Sequence, residues 1–491
     1  MRISPFDFGV IAIYLAGITA FGARFRRSQL TIRDYFLGGR TAPWWAIMCS
    51  IVATETSTLT IIGTPGIAFA GNLGFLQLVL GYLVARVVLC AVLIPRYFQG
   101  EFYTAYQLLE KRFGRRMKSA AALVFLGTRA LAEGVRISAI GKVVSVALGT
   151  GDRVSIAIVT ALTMFYTFEG GMRAVIWTDL IQFILYLTGS IAAFALLLHK
   201  IPGGWPTVTH AAAAAGGKLR IPDFTLSLTR SYTFWSGLLG GTFLTMASHG
   251  TDQTMVQRLL SARNERDSKT ALLGSGVIIL VQFALFLVIG VMLFVYMQNG
   301  GLPGAGRDAD RIFPEFIVRD MPRGLSGLVL ASILAIAMSN ASGSLNSLAS
   351  SSVIDLGRGG RDEAAGALLN RSRRVTLAWG LVLGILGLVR WGPVLVAGLT
   401  IASITYGGML GVFLLGVWNR RANETGALAG FVAGIAAMIA VALLTRLAFT
   451  WYVLVGTIIT FGIGSIVSAV IVRRATAHAQ ETLALTGLNG Q

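Results

Sequence analysis

The stretch APWWAIMCSIVATETSTLTIIGTPGIAFAG, from Ala42 to Gly71, is long enough to span a membrane but is interrupted near its middle by polar residues. The interruption consists of Thr54, Glu55, Thr56, Ser57, Thr58 and Thr60. Polar or broken segments are stable at that depth only where they face protein or a water-filled cavity. The hydroxyls alone would also suit a helix whose Ser and Thr side chains bond back to their own carbonyls. The carboxylate of Glu55 favours a binding site.

The composition is that of a polytopic membrane protein, since 55% of the 491 residues are hydrophobic and only 13% are charged. At roughly 20 apolar residues per span, the sequence predicts about thirteen transmembrane helices. They lie near 5–23, 42–71, 74–95, 119–148, 153–169, 172–200, 232–257, 270–297, 324–353, 375–392, 394–418, 425–445 and 450–472.

The basic residues are distributed unequally between alternate loops, which explains the net charge of +19 without a nucleic-acid partner. The basic loops lie near 24–40, 96–118, 258–269, 358–374 and 420–421. The positive-inside rule then places the N-terminus outside and the C-terminus in the cytoplasm. We expect a multi-pass protein of the cell inner (plasma) membrane, with lipid around it and no fused signalling module.

A second span, 232–258, is also interrupted by polar residues, among them Ser248, His249 and Asp252. Interrupted spans at corresponding positions of two inverted repeats mark the substrate site in many transporters. The resulting division is 1–41 for the first helix and a basic cytoplasmic loop, 42–201 for the first repeat, 202–231 for an outer loop, 232–418 for the second repeat and 419–491 for two peripheral helices and a short tail.

A third span, from Leu325 to Leu356, carries small and hydroxyl side chains on one helix face. The face comprises Ser332, Ala335, Ser339, Ser342 and Asn346. Close helix packing is one interpretation of this pattern. The other is a site for a hard cation, because hydroxyls and freed backbone carbonyls supply oxygen ligands without a large fixed charge. Asp179 either faces that same cavity or fixes helix packing as a hydrogen-bonded carboxylate.

Arg129, Glu133 and Arg136 in the fourth span share a helix face and can form ion pairs. They are either a self-neutralising structural triad or a group with one arginine left to bind a substrate carboxylate. In the second interpretation Glu55 meets the other arginine or a substrate hydroxyl. Arg86 and Lys142 lie nearer to span ends, where we expect them to extend toward the head groups.

Several motifs in this order and spacing resemble the sodium:solute symporters, the family of the sodium-coupled sugar, proline, pantothenate, sialate and iodide carriers. The motifs are Asp34 to Arg40 (DYFLGGR), Tyr166-Thr167, Gly170 to Ala174 (GGMRA), Trp177-Thr178-Asp179 with Gln182, Thr251-Asp252-Gln253, Val256-Gln257-Arg258 and Ser339 to Ser347 (SNASGSLNS). The resemblance covers nearly the whole chain. It implies an all-α, LeuT-like core of five plus five helices in inverted repeat, unwound first and sixth core helices, and alternating access.

The resemblance also implies ion sites. The sodium site of the family corresponds to Ala53, Thr56, Ile336, Ser339 and Asn340. Asn340 stands where many members have a second serine, and an asparagine oxygen can also bind sodium. A second sodium in some members corresponds to Asp179, Ser339, Ser342 and Gly343, the last of which has no side-chain oxygen.

The substrate pocket implied by the resemblance lies beside both unwound segments. It corresponds to Thr54, Glu55, Ser57, Thr58 and Thr60, with Ser248, His249 and Asp252 opposite. Glu55 and Thr60 differ from the polar pair associated with the sugar carriers, so sugar specificity does not transfer. The charges of Arg129, Glu133 and Arg136 favour an anionic or zwitterionic solute.

The sequence therefore predicts a sodium-coupled symporter that imports a small polar organic solute, a carboxylate or a zwitterion, and works as a monomer. Proton coupling through Glu55, Asp179 or Asp252 is an alternative. A membrane sensor that binds solute without transporting it is another. An enzyme is not expected, because the sequence has no nucleophile–base pair or metal-ligand cluster with suitable spacing.

Overall fold

The computed structural model describes residues 3–24, 37–99, 105–166, 171–302, 308–350, 352 and 365–485. Within these ranges the protein is all helical, with no β-strand and a single isolated bridge between Ala42 and Ala262. The α-helices are α1 Pro5–Arg24, α2 Trp44–Glu55, α3 Thr58–Ala70, α4 Leu76–Val92, α5 Ile94–Phe98, α6 Ala105–Phe113, α7 Arg115–Leu148, α8 Asp152–Tyr166, α9 Gly171–Lys200, α10 Gly204–Ala214, α11 Phe234–Gly250, α12 Gln253–Leu260, α13 Glu265–Gln298, α14 Ala309–Asp320, α15 Leu325–Ser350, α16 Ala365–Gly387, α17 Val394–Trp418, α18 Glu424–Leu444 and α19 Tyr452–Leu485.

Six helical segments of the described residues are long and apolar enough to cross a membrane, or up to eight if each of two bent pairs counts as one span. The six are Leu73–Val92, Val175–Lys200, Glu265–Gln298, Val394–Trp418, Glu424–Leu444 and Phe449–Arg474. The bent pairs are α2 with α3, at 61°, and α7 with the first part of α8, at 111°. The prediction of about thirteen spans remains a prediction, since three further apolar helices are shorter.

The first interrupted span breaks where its polar residues predict. α2 ends at Glu55 and α3 begins at Thr58. Between them Thr56 has ψ 79° and Ser57 is extended with ψ 172°, so neither residue continues a helix. The Thr56 N–H still donates to the carbonyl of Val52, but the Ser57 N–H donates to the carbonyl of Glu55 instead of that of Ala53, so the helical pattern stops here.

The second interrupted span breaks between Gly250 and Gln253, at Thr251 and Asp252. The Asp252 side chain accepts from the Thr254 N–H at 2.8 Å and so caps the N-terminus of α12. A capping aspartate at this position explains locally why a new helix begins here. The chain therefore provides two helix breaks, as the sequence indicates.

Neighbouring helices hold both breaks near the middle of the bundle. α2 packs against α9 and α13, α3 packs against α13 and α14, and α11 packs against α4. α15 packs against α1, α7 and α9, while α17 packs against α7 and α19. A cavity lies between α7, α17 and the two breaks.

α4 and α11 contact each other backbone to backbone. A Cβ atom added at Gly241 would lie 2.2 Å from the carbonyl oxygen of Leu78, and one at Gly237 would lie 2.6 Å from the carbonyl carbon of Gln77. Small residues permit such close approach between membrane helices. We call this contact the α4–α11 seam.

Lys142 is bound within the protein, so the prediction that it extends to the head groups is wrong. Its Nζ lies 2.8 Å from Asp310 and 3.0 Å from Asp308, at the start of α14. Asp310 also accepts from the N–H of Val394, the first residue of α17, at 3.1 Å. The N-terminus of α14, which carries these aspartates, is thereby joined to α7 and α17.

We expect Gly241→Ala to destabilise the protein by about 1–3 kcal/mol or more, because the new methyl group would overlap a backbone oxygen that cannot move aside. Thermal unfolding in detergent measures the effect. Gly127→Ala in α7 is the matched control, since a Cβ there meets nothing within 4 Å and alanine favours a helix. Equal thermal unfolding midpoints for the two variants would contradict the close backbone contact that we describe at the α4–α11 seam.

Candidate functional site

The two breaks, α7 and α17 enclose a cavity of about 210 Å³. Most of the polar residues predicted from the sequence line it: Thr54, Glu55, Ser57, Thr60, Arg129, Arg136, Ser248, His249, Asp252 and Asn340. Aromatic side chains form much of the remaining wall: Phe75, Tyr82, Tyr106, Phe125, Phe283 and Tyr406. Such a mixture of apolar surface and a few convergent polar groups is typical of small-molecule sites.

The carboxylate of Glu55, at the last residue of α2, forms an ion pair with Arg86 of α4. Arg86 is fully buried, and its other nitrogens donate to the Tyr82 carbonyl at 3.0 Å and to the Ser275 hydroxyl at 3.2 Å. The prediction that Arg86 extends to the membrane surface is therefore wrong. A buried carboxylate requires a nearby cation. The sequence does contain a signal for this pairing, because Arg86 is the single Lys or Arg in the apolar helix α4.

His249, in the last turn of α11, lies against the same carboxylate. Its Nε2 is 3.4 Å from Glu55 Oε2, and its Nδ1 is 2.8 Å from the Ser248 hydroxyl. The Nε2 atom is buried and has no hydrogen-bond partner among the described residues. The two breaks thus meet at a polar cluster of Glu55, Arg86, Ser248 and His249.

The hydroxyls of the first break have different environments. Thr54 donates to the Ser50 carbonyl at 2.7 Å, which is the backbone bonding considered from the sequence. Thr60 donates across the break to the Glu55 carbonyl at 3.3 Å. Thr58 is buried and does not line the cavity, although Ser57 does.

Arg129, Glu133 and Arg136 form the ion-paired group that their spacing predicts. Glu133 is completely buried and pairs with Arg136 and, at 3.2 Å, with Arg129. Ser344 of α15 lies 2.7 Å from the same carboxylate and 2.8 Å from Arg129 Nε. One carboxylate serves two guanidinium groups, so the group carries one excess positive charge on the side that lines the cavity.

Asp252 adds a further carboxylate to the cavity lining. Besides capping α12, it accepts from the Tyr406 hydroxyl of α17 at 3.2 Å. The cavity and its buried partners thus hold three carboxylates and three guanidinium groups among the described residues. The formal charges of these groups sum to zero, and Asp252 lies near enough to Arg136 to act on it electrostatically.

The predicted sodium residues lie at the first break, where Ala53 and Thr56 are found, and on α15. Ala53 and Ile336 are buried, and Asn340 of α15 lines the cavity. The Thr56 hydroxyl accepts from Gln282 of α13 at 2.6 Å. The side chains of Ser339 and Ser342 lie outside the described part of the structure, as do residues 34–36 and 167–170 of the sequence motifs.

Asp179 of α9 is a buried carboxylate outside the cavity wall. It accepts from the Ser50 hydroxyl at 2.7 Å and pairs with Arg258 of α12 at 3.0 Å. These two partners, on α2 and α12, support the interpretation that Asp179 fixes helix packing. No cluster of His, Cys, Asp and Glu in the described residues could hold a metal ion of the transition-metal type.

An all-helical membrane protein with two broken helices facing one polar cavity has the architecture of a secondary transporter. The chain belongs to the sodium:solute symporter family, whose model matches residues 35–434. It is a multi-pass membrane protein of a family of transporters, with sodium and a small-molecule solute as the co-transported partners.

Its relatives include sodium symporters with different solutes. The sodium/sialic acid symporter SiaT of Proteus mirabilis is 30% identical over 467 residues, which cover 92% of each chain. The human sodium/iodide cotransporter is 30% identical over 455 residues, covering 89% of this chain and 69% of the relative. The solved substrate-bound, outward-open state of a Na⁺-coupled sialic acid symporter has a TM-score of 0.83 at 28% identity and covers 95% of this chain and 98% of its own.

We expect Arg86→Met to destabilise the protein by about 3–5 kcal/mol, because Glu55 would remain buried without its cation. Thermal unfolding of the purified protein measures the effect. The double variant Arg86→Met with Glu55→Gln removes both charges, so it should recover most of the lost stability. A double variant as unstable as the single one would show that the ion pair is not what Arg86 contributes.

Proposed function

We propose that this protein imports a small polar organic solute bearing a carboxylate, alone or as part of a zwitterion, by sodium-coupled symport with alternating access. The proposal rests on the cavity at the two helix breaks. Its lining includes two arginines, Arg129 and Arg136, that share the single carboxylate of Glu133, and also the cluster of Glu55, Ser248 and His249. An anionic group and a hydrogen-bond donor on one solute would complement these two regions.

The arginine group suits the carboxylate, because Glu133 neutralises only one of its two guanidiniums. Arg136 has the more exposed side chain, 22% against 13% for Arg129, so we assign the direct contact to Arg136. The relatives named for sialic acid and for monocarboxylates carry acids, which supports this class. A hydroxyl or ammonium group of the solute would then face Glu55.

Sodium would bind at the other side of the first break. The ligands we propose are the carbonyls of Ala53 and Ile336 with oxygens of Thr56, Ser339 and Asn340. This set has no formal charge, which suits a monovalent hard cation that must be released in each cycle. The changed hydrogen-bond pattern of the break supports the assignment, because the Ser57 N–H donates to the Glu55 carbonyl instead of the Ala53 carbonyl.

The remaining architecture follows from the sequence and stays part of the proposal. Residues 42–201 and 232–418 would form two inverted repeats of five helices within about thirteen spans. The N-terminus would lie outside and the C-terminus in the cytoplasm of the inner (plasma) membrane. The transporter would work as a monomer.

Uptake by the protein reconstituted in lipid vesicles tests which ion gradient drives transport. An inward sodium gradient should drive accumulation, whereas uptake that ignores sodium and follows an imposed pH gradient would refute the proposal. A thermal-shift screen of carboxylates, amino acids and sugars, each with and without sodium, identifies the solute beforehand.

We expect Ser339→Ala to raise the sodium concentration for half-maximal uptake, because one oxygen ligand is lost. The half-maximal solute concentration at saturating sodium should change less. Ser332→Ala, on the same helix face but outside the proposed ligand set, is the matched control. Unchanged sodium dependence in Ser339→Ala would refute the ligand assignment.

We expect Arg136→Gln to raise KM for the carboxylate solute about 10- to 100-fold, since a charge-assisted hydrogen bond contributes roughly 1.5–3 kcal/mol. Glu55→Gln should alter the ranking of solutes more than the sodium dependence, and the same should hold in the double variant with Arg86→Met, which leaves no buried charge unpaired. Uptake of the acid and of its neutral amide, measured side by side, separates the two effects. An equal loss for acid and amide in Arg136→Gln would argue against a carboxylate contact.

A further inference from the structure

The aromatic side chains of the cavity form two groups. In the first group, the rings of Phe75 and Phe283 stack with their centroids 5.4 Å apart, and Tyr82 meets Phe283 edge-on at 6.3 Å. The carbonyl of Tyr82 accepts from Arg86, and its side chain is near enough to Glu55 to interact with it electrostatically. This group therefore adjoins the ion pair at the first helix break.

The second aromatic group lies beside the arginines. Tyr106 and Phe125 pack with their ring centroids 6.3 Å apart and an angle of 57° between the ring planes. Phe125 precedes Arg129 by about one turn of α7. Tyr406 of α17 is close enough to Arg129 and Arg136 to interact electrostatically with both. A carboxylate bound to Arg136 would thus have aromatic rings close to the atoms attached to it.

Many hydroxyl groups of the cavity lining already donate their hydrogen within the protein. Backbone carbonyls accept from five threonines and Asp252 accepts from one tyrosine, and these donors are Thr54, Thr60, Thr128, Thr251, Thr405 and Tyr406. Each of these hydroxyls can only accept a further hydrogen bond. A solute with many hydroxyl groups also needs donors for its own oxygens, and every oxygen left buried without one weakens its binding.

We propose that the solute is an aromatic carboxylate, whose ring packs against Tyr106, Phe125 and Tyr406 while its carboxylate binds Arg136. The inference rests on the proposed symport of a carboxylate and names the chemical class of that acid. A third ring gains offset-stacked or edge-to-face contacts there without requiring hydrogen bonds. The cavity, at about 210 Å³, is smaller than the roughly 300–1,000 Å³ of sites for drug-sized ligands, which favours a solute with a single ring.

Isothermal titration calorimetry of the purified full-length protein tests the class of acid, in sodium chloride and again in choline chloride. The aromatic probes are benzoate, phenylacetate and 3-phenylpropionate. The one that binds most tightly is compared with its cyclohexyl counterpart, with gluconate and with sialic acid. We expect it to bind about 3- to 10-fold more tightly than the cyclohexyl acid and at least about 10-fold more tightly than either polyhydroxylated acid. Sodium should strengthen its binding.

Phe125→Leu tests the ring contact, because leucine keeps an apolar side chain but removes the ring. This variant should bind the aromatic acid about 3- to 10-fold more weakly and the cyclohexyl acid within about twofold of the wild type. Phe243→Leu in α11 is the matched control, since Phe243 is also partly buried but lies outside the cavity lining. Thermal unfolding shows whether each variant is folded, and Tyr106→Leu provides the same test if Phe125→Leu is not.

Two results would overturn the inference and leave the proposed carboxylate symport intact. One is sodium-dependent binding of gluconate or sialic acid that is as tight as that of the aromatic acid. The other is an equal weakening of the aromatic and the cyclohexyl acid in folded Phe125→Leu. Absence of sodium-dependent binding for every acid tested would instead refute the proposed function.

Discussion

The ion pair between Glu55 and Arg86 is the interaction on which the site depends. Glu55 ends a half-helix in the middle of the bundle, where the partial negative charge of the helix C-terminus makes a carboxylate especially costly. Burial of Arg86 from a neighbouring helix resolves this cost and also fixes the direction of α2. Because Ser275 of α13 binds the same guanidinium, three helices are positioned by one charge pair.

Much of this arrangement could be predicted from the residues alone. Polar side chains within apolar spans located both helix breaks, because hydrocarbon tolerates unsatisfied backbone only beside a cavity. The same reasoning brought Glu55, Ser248, His249 and Asp252 to one cavity. Spacing at helical period predicted the pairing of Glu133 with Arg129 and Arg136.

The errors have a common physical cause. Arg86 and Lys142 were placed by their distance from span ends, whereas the structure places them by the carboxylates that they neutralise. Those carboxylates lie 31 and more than 160 positions away in sequence, on other helices. No periodicity within one helix contains that information, and Arg258 with Asp179 illustrates the same limit.

The α4–α11 seam bears on how the molecule can move. Arg86 lies on one side of the seam and His249 on the other, and interlocked backbones leave no space for either helix to slide or roll. We therefore expect the two helices to move together as one rigid body. The relative positions of Arg86 and His249 are thus preserved during any rearrangement, and changes of shape must occur at contacts made through side chains, which can exchange rotamers as helices shift.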